Sequence, residues 1–118
     1  MYKIKVEASF SAAHNLRGYK GKCEDLHGHN WKIEAVVAKA CLDKTGMVLD
    51  FKELKRKLGA VLEPLDHKYL NKIPYFKKVN PTSENLARFI YGRLKAGVPS
   101  VLSITVWEND TSAATYEE

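Results

Sequence analysis

Cys23, His27 and His29 fall within seven residues, in the stretch CEDLHGHNW, and each offers a side chain that binds soft or borderline metal ions. If the segment is a strand, the two histidines point the same way, because successive side chains alternate faces. Gly28 between them leaves room for something to approach the backbone. Taken alone, a His-x-His pair more often marks surface histidines or satisfied core histidines than a metal site. What decides is the structure that carries it.

Residues 2–14 alternate: Tyr2, Ile4, Val6, Ala8, Phe10 and Ala12 share one parity and Lys3, Lys5, Glu7, Ser9 and Ser11 the other. That is the pattern of a half-buried strand, and His14 extends its apolar series. A loop follows, NLRGYKGKCEDL, punctuated by Gly18 and Gly21. Loops of about 12 residues are uncommon in compact domains and are often functional. A second strand is predicted from about His27 to Cys41, with Trp31, Ile33, Ala35 and Val37 on the parity of His27 and His29. A hairpin of the two strands brings His14, His27 and His29 together on one face. Three neutral imidazoles with an open fourth position are the ligand set of a catalytic zinc ion, and the third histidine makes zinc the better reading.

Further along, DFKELKRKLGAVLEPL places Phe51, Leu54, Leu58, Val61 and Leu62 on one helical stripe. Asp50 and Glu53 make a start resembling a capping box, and Pro64 stops the helix. A second helix, TSENLARFIYGRLKAG, follows Pro81 with Thr82 or Asn80 as N-cap, puts Leu86, Phe89, Ile90 and Leu94 on one face, and closes at Gly97. The strand SVLSITVWEND and a short partner, SAATYEE, come last. The order strand, strand, helix, helix, strand, strand predicts an α+β fold, an antiparallel sheet with two helices on one face. Its outer strands would be long unpaired edges, so oligomerisation through them is expected.

Other residues could share in the chemistry. Asp66 adjoins His67 in PLDHKYLN, where an aspartate can fix an imidazole's tautomer, though a helix-end charge pair explains the dipeptide as well. Glu108 continues the apolar parity of Leu102, Ile104 and Val106; it either frays into solvent or accepts hydrogen bonds from a ligand. Cys23, close to His27, is a candidate base or nucleophile as a thiolate. Arg17, Lys20 and Lys22 share its loop and either face solvent or meet an anionic group.

The chain of 118 residues is expected to be a single domain, 1–118, with 45% hydrophobic and 28% charged residues and a net charge of +5. Its lysines are dispersed, which describes a solvated surface and does not promote nucleic-acid binding. No apolar run reaches the roughly 20 residues of a membrane span, and the N-terminus lacks the apolar core of a signal peptide. A cytoplasmic protein with free thiols at Cys23 and Cys41 is the expectation, with Cys41 a small core or strand-end residue.

In order along the chain, FSAAHNL, CEDLHGHNW, TGMVLDF, LDHKYLN, NPTSENLA and VWENDTSAA resemble the 6-pyruvoyltetrahydropterin and 6-carboxytetrahydropterin synthase family, from about Phe10 to Ala114. The resemblance implies zinc bound by His14, His27 and His29, a catalytic Cys23, and Asp66 with His67 completing a catalytic triad. It implies that Glu108 anchors the pterin ring, with Thr82 and Ser83 as nearby hydroxyl residues. It implies the tunnelling fold, with sheets from several subunits closing into a barrel, trimers stacking as hexamers, and Cys23 meeting Asp66 and His67 of a neighbouring chain. The short Cys-x3-His-x-His spacing resembles the 6-carboxytetrahydropterin synthases of queuosine biosynthesis. Those act on 7,8-dihydroneopterin triphosphate and release 6-carboxytetrahydropterin, acetaldehyde and triphosphate. A pyruvoyl-forming enzyme, a non-catalytic pterin- or zinc-binding module and a structural zinc protein are the alternatives.

Overall fold

The computed structural model describes residues 1–21 and 24–118. Two strands of 13 residues, β1 (Tyr2–His14) and β2 (His27–Lys39), form an antiparallel hairpin paired along its whole length. The alternation read from the sequence is the alternation found: Val6, Phe10, Ala12 and His14 of β1 and Trp31, Ile33, Ala35 and Val37 of β2 are buried. The second strand stops two residues short of the expected end. Cys41 is exposed in the turn beyond it and contributes nothing to the core.

Helix α1 (Phe51–Leu62) begins where Asp50 accepts the backbone N–H of Lys52 at 2.8 Å. Glu53 does not return the contact; its carboxylate takes the Arg56 guanidinium instead, so only half of the expected box forms. Leu54, Leu58 and Leu62 are the residues that α1 buries, each contributing roughly 1.5–3 kcal/mol. Phe51, expected on that stripe, is 54% exposed because it sits at the first helical position, before the stripe turns inward. The helix tightens into a 3-10 turn, Glu63–Leu65, at Pro64.

A two-residue strand, β3 (Lys68–Tyr69), absent from the sequence reading, then pairs in parallel with Ala12 and Ala13 of β1. Two 3-10 turns, Leu70–Lys72 and Pro74–Lys77, lead to α2 (Ser83–Gly97), which is capped by Thr82 and not by Asn80. Strands β4 (Val101–Asn109) and β5 (Ser112–Glu117) complete a sheet in the order β3-β1-β2-β4-β5. Where β4 meets β2, Val36 pairs with Ser103 and Val37 with Val101, leaving Leu102 as an extra residue. The bulge turns Val101 inward and Leu102 only half inward, while Ile104 and Val106 keep the expected parity.

Both helices lie on one face, α1 against β1 and α2 against β4 and β5, which is the α+β layering expected. The opposite face carries cross-strand polar pairs, with Lys32 placed between Glu7 and Glu34 and above the Trp107 ring.

Candidate metal and active site

The site begins with a register. His14, the last residue of β1, lies directly opposite His27, the first of β2, and His29 lies opposite Ala12. All three sit on the inward parity, so their rings converge, and one nitrogen from each lies within 4.8 Å of the others. His14 is 2% exposed, and the other two are half-buried.

Backbone carbonyls orient two of the rings. His14 Nδ1 lies 2.8 Å from the Pro81 oxygen, and His27 Nδ1 lies 2.9 Å from the Asp25 oxygen. A carbonyl can only accept, so each Nδ1 carries the proton and each Nε2 presents a lone pair. Those two Nε2 atoms stand 3.0 Å apart, lone pair toward lone pair. His29 Nε2 is buried with no hydrogen-bond partner among the described residues. Facing lone pairs and an orphaned buried nitrogen are unfavourable unless a cation occupies their focus. The donor set therefore fits zinc. Burial holds the His14 pKa below its ordinary value, opposed by the Pro81 carbonyl and Glu108 and reinforced by its two histidine neighbours. Neutral imidazole is the form that binds metal.

Trp31 is the floor. Its ring is fully buried, its indole N–H donates to the Ala12 carbonyl at 3.2 Å, and it meets His14 and His29 edge to face at 4.9 and 5.2 Å. Glu108 forms a wall. Its two carboxylate oxygens lie 3.6 Å from His29 Nε2 and 4.0 Å from His14 Nε2, so the end of the inward series on β4 faces the histidines and does not fray away.

The Asp66–His67 pair lies elsewhere, on the outer edge of β1. Asp66 Oδ1 accepts the Ser11 N–H at 3.0 Å and stands 3.0 Å from His67 Nδ1, while the His67 N–H donates to the Ser11 carbonyl. These contacts, the Ser11 N–H foremost, hold the Asp66 carboxyl below its usual range. His67 has φ +57° and its imidazole is 81% exposed. Among the described residues, no hydrogen bond or ion pair joins this pair to the three histidines.

A family model described as 6-pyruvoyl tetrahydropterin synthase matches residues 3–118. The chain belongs to the 6-pyruvoyl tetrahydropterin synthase family. It is 43% identical to a 6-carboxy-5,6,7,8-tetrahydropterin synthase from Synechocystis, covering 98% of this chain and 93% of that one. It is 37% identical to a dihydroneopterin monophosphate aldolase from Pyrococcus furiosus, covering 92% and 90%. The structure of the Caenorhabditis elegans 6-pyruvoyl tetrahydropterin synthase superposes with a TM-score of 0.86 at 30% identity, covering 99% and 95%. The tunnelling fold and the pterin synthase family expected from the sequence motifs are thus the ones found.

For a member of the 6-pyruvoyl tetrahydropterin synthase family, this chain gathers His14, His27, His29 and Glu108 by itself. The start of α2 reaches the same place: the peptide preceding Thr82 supplies the carbonyl that holds His14, with Ser83 next in line. Cys23 and Lys22 lie outside the described residues. Arg17, read as a possible anion contact, is corrected. Its guanidinium donates to the carbonyls of Phe76 and Val79 and to Asn80 Oδ1, so it braces the loop against the segment before α2. Sequence reasoning missed the Pro81 and Asp25 carbonyls, the Trp31 floor and the Asn80 contacts. Carbonyls leave no trace in residue type, but the Asn-Pro dipeptide at 80–81 was a signal of turn geometry that could have been followed.

Proposed function

We propose that this protein is a zinc-dependent lyase that converts 7,8-dihydroneopterin triphosphate and one water into 6-carboxy-5,6,7,8-tetrahydropterin, acetaldehyde and triphosphate, within 7-deazaguanine (queuosine) biosynthesis in the cytoplasm. The observation that carries the reading is the buried three-histidine cluster, with two rings fixed by carbonyls and an orphaned nitrogen on the third. The likeness to the Synechocystis relative favours the carboxy product.

His14, His27 and His29 would hold the ion. When bound, zinc supplies Lewis-acid stabilisation to negative charge developing on the substrate's side-chain hydroxyls. Glu108 accepts hydrogen bonds from the pterin ring's amino and N–H groups, which fixes the side chain over the histidines. Thr82 and Ser83 line the ring's approach at the head of α2. Cys23, as thiolate, removes a proton from the substrate side chain, and Asp66 orients His67 to exchange a proton on the other face. Because His67 is exposed at a strand edge, the site is completed by a neighbouring copy of this single-domain chain. Trimers stacked as hexamers, joined along the edges of β1 and β5, would bring Cys23 to the neighbour's Asp66 and His67.

The test is incubation of zinc-loaded protein with 7,8-dihydroneopterin triphosphate, reading acetaldehyde and the mass of the pterin, with Cys23→Ala as control. Acetaldehyde together with the 6-carboxy product, lost in the variant, is the expected result. Triphosphate release with the side chain retained would establish the pyruvoyl reaction. A shortened pterin without triphosphate release would establish aldolase chemistry. Unchanged substrate with zinc bound would leave a binding module. Chelation adds a further arm: activity is lost while circular dichroism is retained, whereas a structural zinc protein would unfold.

A further inference from the structure

The head of α2 is built around one side chain with no role in the reaction just described. Asn80 Oδ1 accepts the Arg17 backbone N–H at 2.9 Å and the Arg17 Nε at 3.3 Å, and Asn80 Nδ2 donates to the Arg17 carbonyl at 3.0 Å. Its amide thus pairs with both polar groups of the Arg17 backbone, as a neighbouring strand would. The Asn80 carbonyl is used twice, by the Thr82 N–H and by the Asn85 side-chain amide, each at 2.9 Å. The first of these closes a three-residue turn with Pro81 at its corner, where the ring fixes φ and the remaining carbonyl points outward. That carbonyl is the one that receives His14 Nδ1 at 2.8 Å.

The contacts form a closed circuit. His14 and Arg17 are three residues apart on one side, Pro81 and Asn80 adjacent on the other, and a hydrogen bond joins each end. The orientation of the buried His14 ring therefore depends on where Asn80 holds the Pro81 peptide. We propose that Asn80 is a positioning residue for the metal site: by fastening the His14–Arg17 segment to the turn before α2, it fixes the Pro81 carbonyl that sets the tautomer and aim of His14. This rests on the zinc reading of the three histidines. Groups that orient a metal-bound histidine through its second nitrogen commonly change metal affinity by about 10–100-fold when removed. Asn80 acts one step further out, through the peptide it shares with Pro81.

The experiment measures zinc affinity by competition with a chromophoric chelator, together with imidazole ¹⁵N spectra of the metal-free protein. Wild type binds one zinc per chain and shows His14 as the Nδ1–H tautomer. Asn80→Leu, folded by circular dichroism, binds zinc about tenfold or more weakly and loses the single His14 tautomer. Asn80→Asp keeps both acceptor contacts to Arg17 but sets a carboxylate oxygen against the Arg17 carbonyl. It loses a smaller part of the affinity, and it carries the test if the leucine variant does not fold. Wild-type affinity and an unchanged His14 spectrum in whichever variant folds overturn the proposal. A wild type that binds no zinc overturns the metal reading along with it, so the two failures are told apart.

Discussion

The three-histidine cluster and the Asp66–His67 pair sit on opposite sides of β1 and could hardly differ more. On the β2 side, His14, His27 and His29 are buried or half-buried, and backbone carbonyls fix two of their rings. On the outer side, His67 is held to β1 through its backbone, and among the described residues its ring pairs with Asp66, the imidazole being 81% exposed. The first brings three ring nitrogens of a single chain within 4.8 Å of one another, as an ion would require. The second is an exposed pair at a strand edge: its backbone is held at a positive φ, a conformation that non-glycine residues keep only when their surroundings impose it, and its imidazole faces outward. On the reading proposed above, one fold separates holding the metal, assigned to a single chain, from moving the proton, offered to whatever docks against the edge.

The comparison is broken most forcefully on the buried side. His29→Ala should reduce bound zinc from one per chain to background by atomic emission, because two imidazoles fall short of the three protein ligands of a catalytic zinc site. On the exposed side, His67→Gln should lower kcat by about 10²–10⁴-fold while leaving zinc content and Tm at wild-type values. Mixing that variant with Cys23→Ala before reassembly sharpens the contrast. Partial recovery of activity would place the two residues on different chains of one site, and no recovery would place them on the same chain.

Glu108→Gln tests the boundary of the buried cluster. A charged acceptor replaced by a neutral one is expected to lower kcat/KM roughly tenfold to a hundredfold, from the ~1.5–3 kcal/mol of a charge-assisted hydrogen bond. If zinc affinity fell by that factor instead, the carboxylate would belong to the ion and not to the pterin. The smallest effect is acid sensitivity at the edge. The Ser11 N–H, first among several contacts, holds the Asp66 carboxyl below its ordinary value, so folded Asp66 binds a proton less readily than unfolded Asp66. Its contribution is complete above the ordinary carboxylate range and is lost as pH falls through the lowered value. Asp66→Asn should therefore flatten the acid limb of Tm against pH; an unaltered limb would show that the Ser11 contact is not stabilising.

How much of this was legible depended on whether a feature is carried by residue type or by backbone. The parity of Phe10, Ala12 and His14 against His27, His29 and Trp31 gave the hairpin, its face and the convergence of the three histidines, because a period of two leaves few choices. Glu108 announced itself as a charge at the end of an apolar series. The Pro81 and Asp25 carbonyls did not, since every residue has one. Arg17 stayed open because a loop cation looks alike whether it faces solvent, waits for an anion or is spent on carbonyls at Phe76 and Val79. Phe51 was read as core and Cys41 as a core or strand-end residue, but first helical turns and the turns beyond strand ends often leave such residues outside. The edge strand β3 was too short to leave a pattern.

The pairing of His14 with His27 also ties the three-histidine cluster to the register of the hairpin. Sliding the hairpin by one residue would turn one strand's entire set of side chains to the other face and part His14 from its two companions. Sliding it by two would keep the faces but move His14 a full repeat away from His27. If the histidines hold zinc as proposed, full three-ligand capture requires the register that aligns all thirteen pairs, and zinc added to a refolding chain should favour that hairpin over misaligned ones.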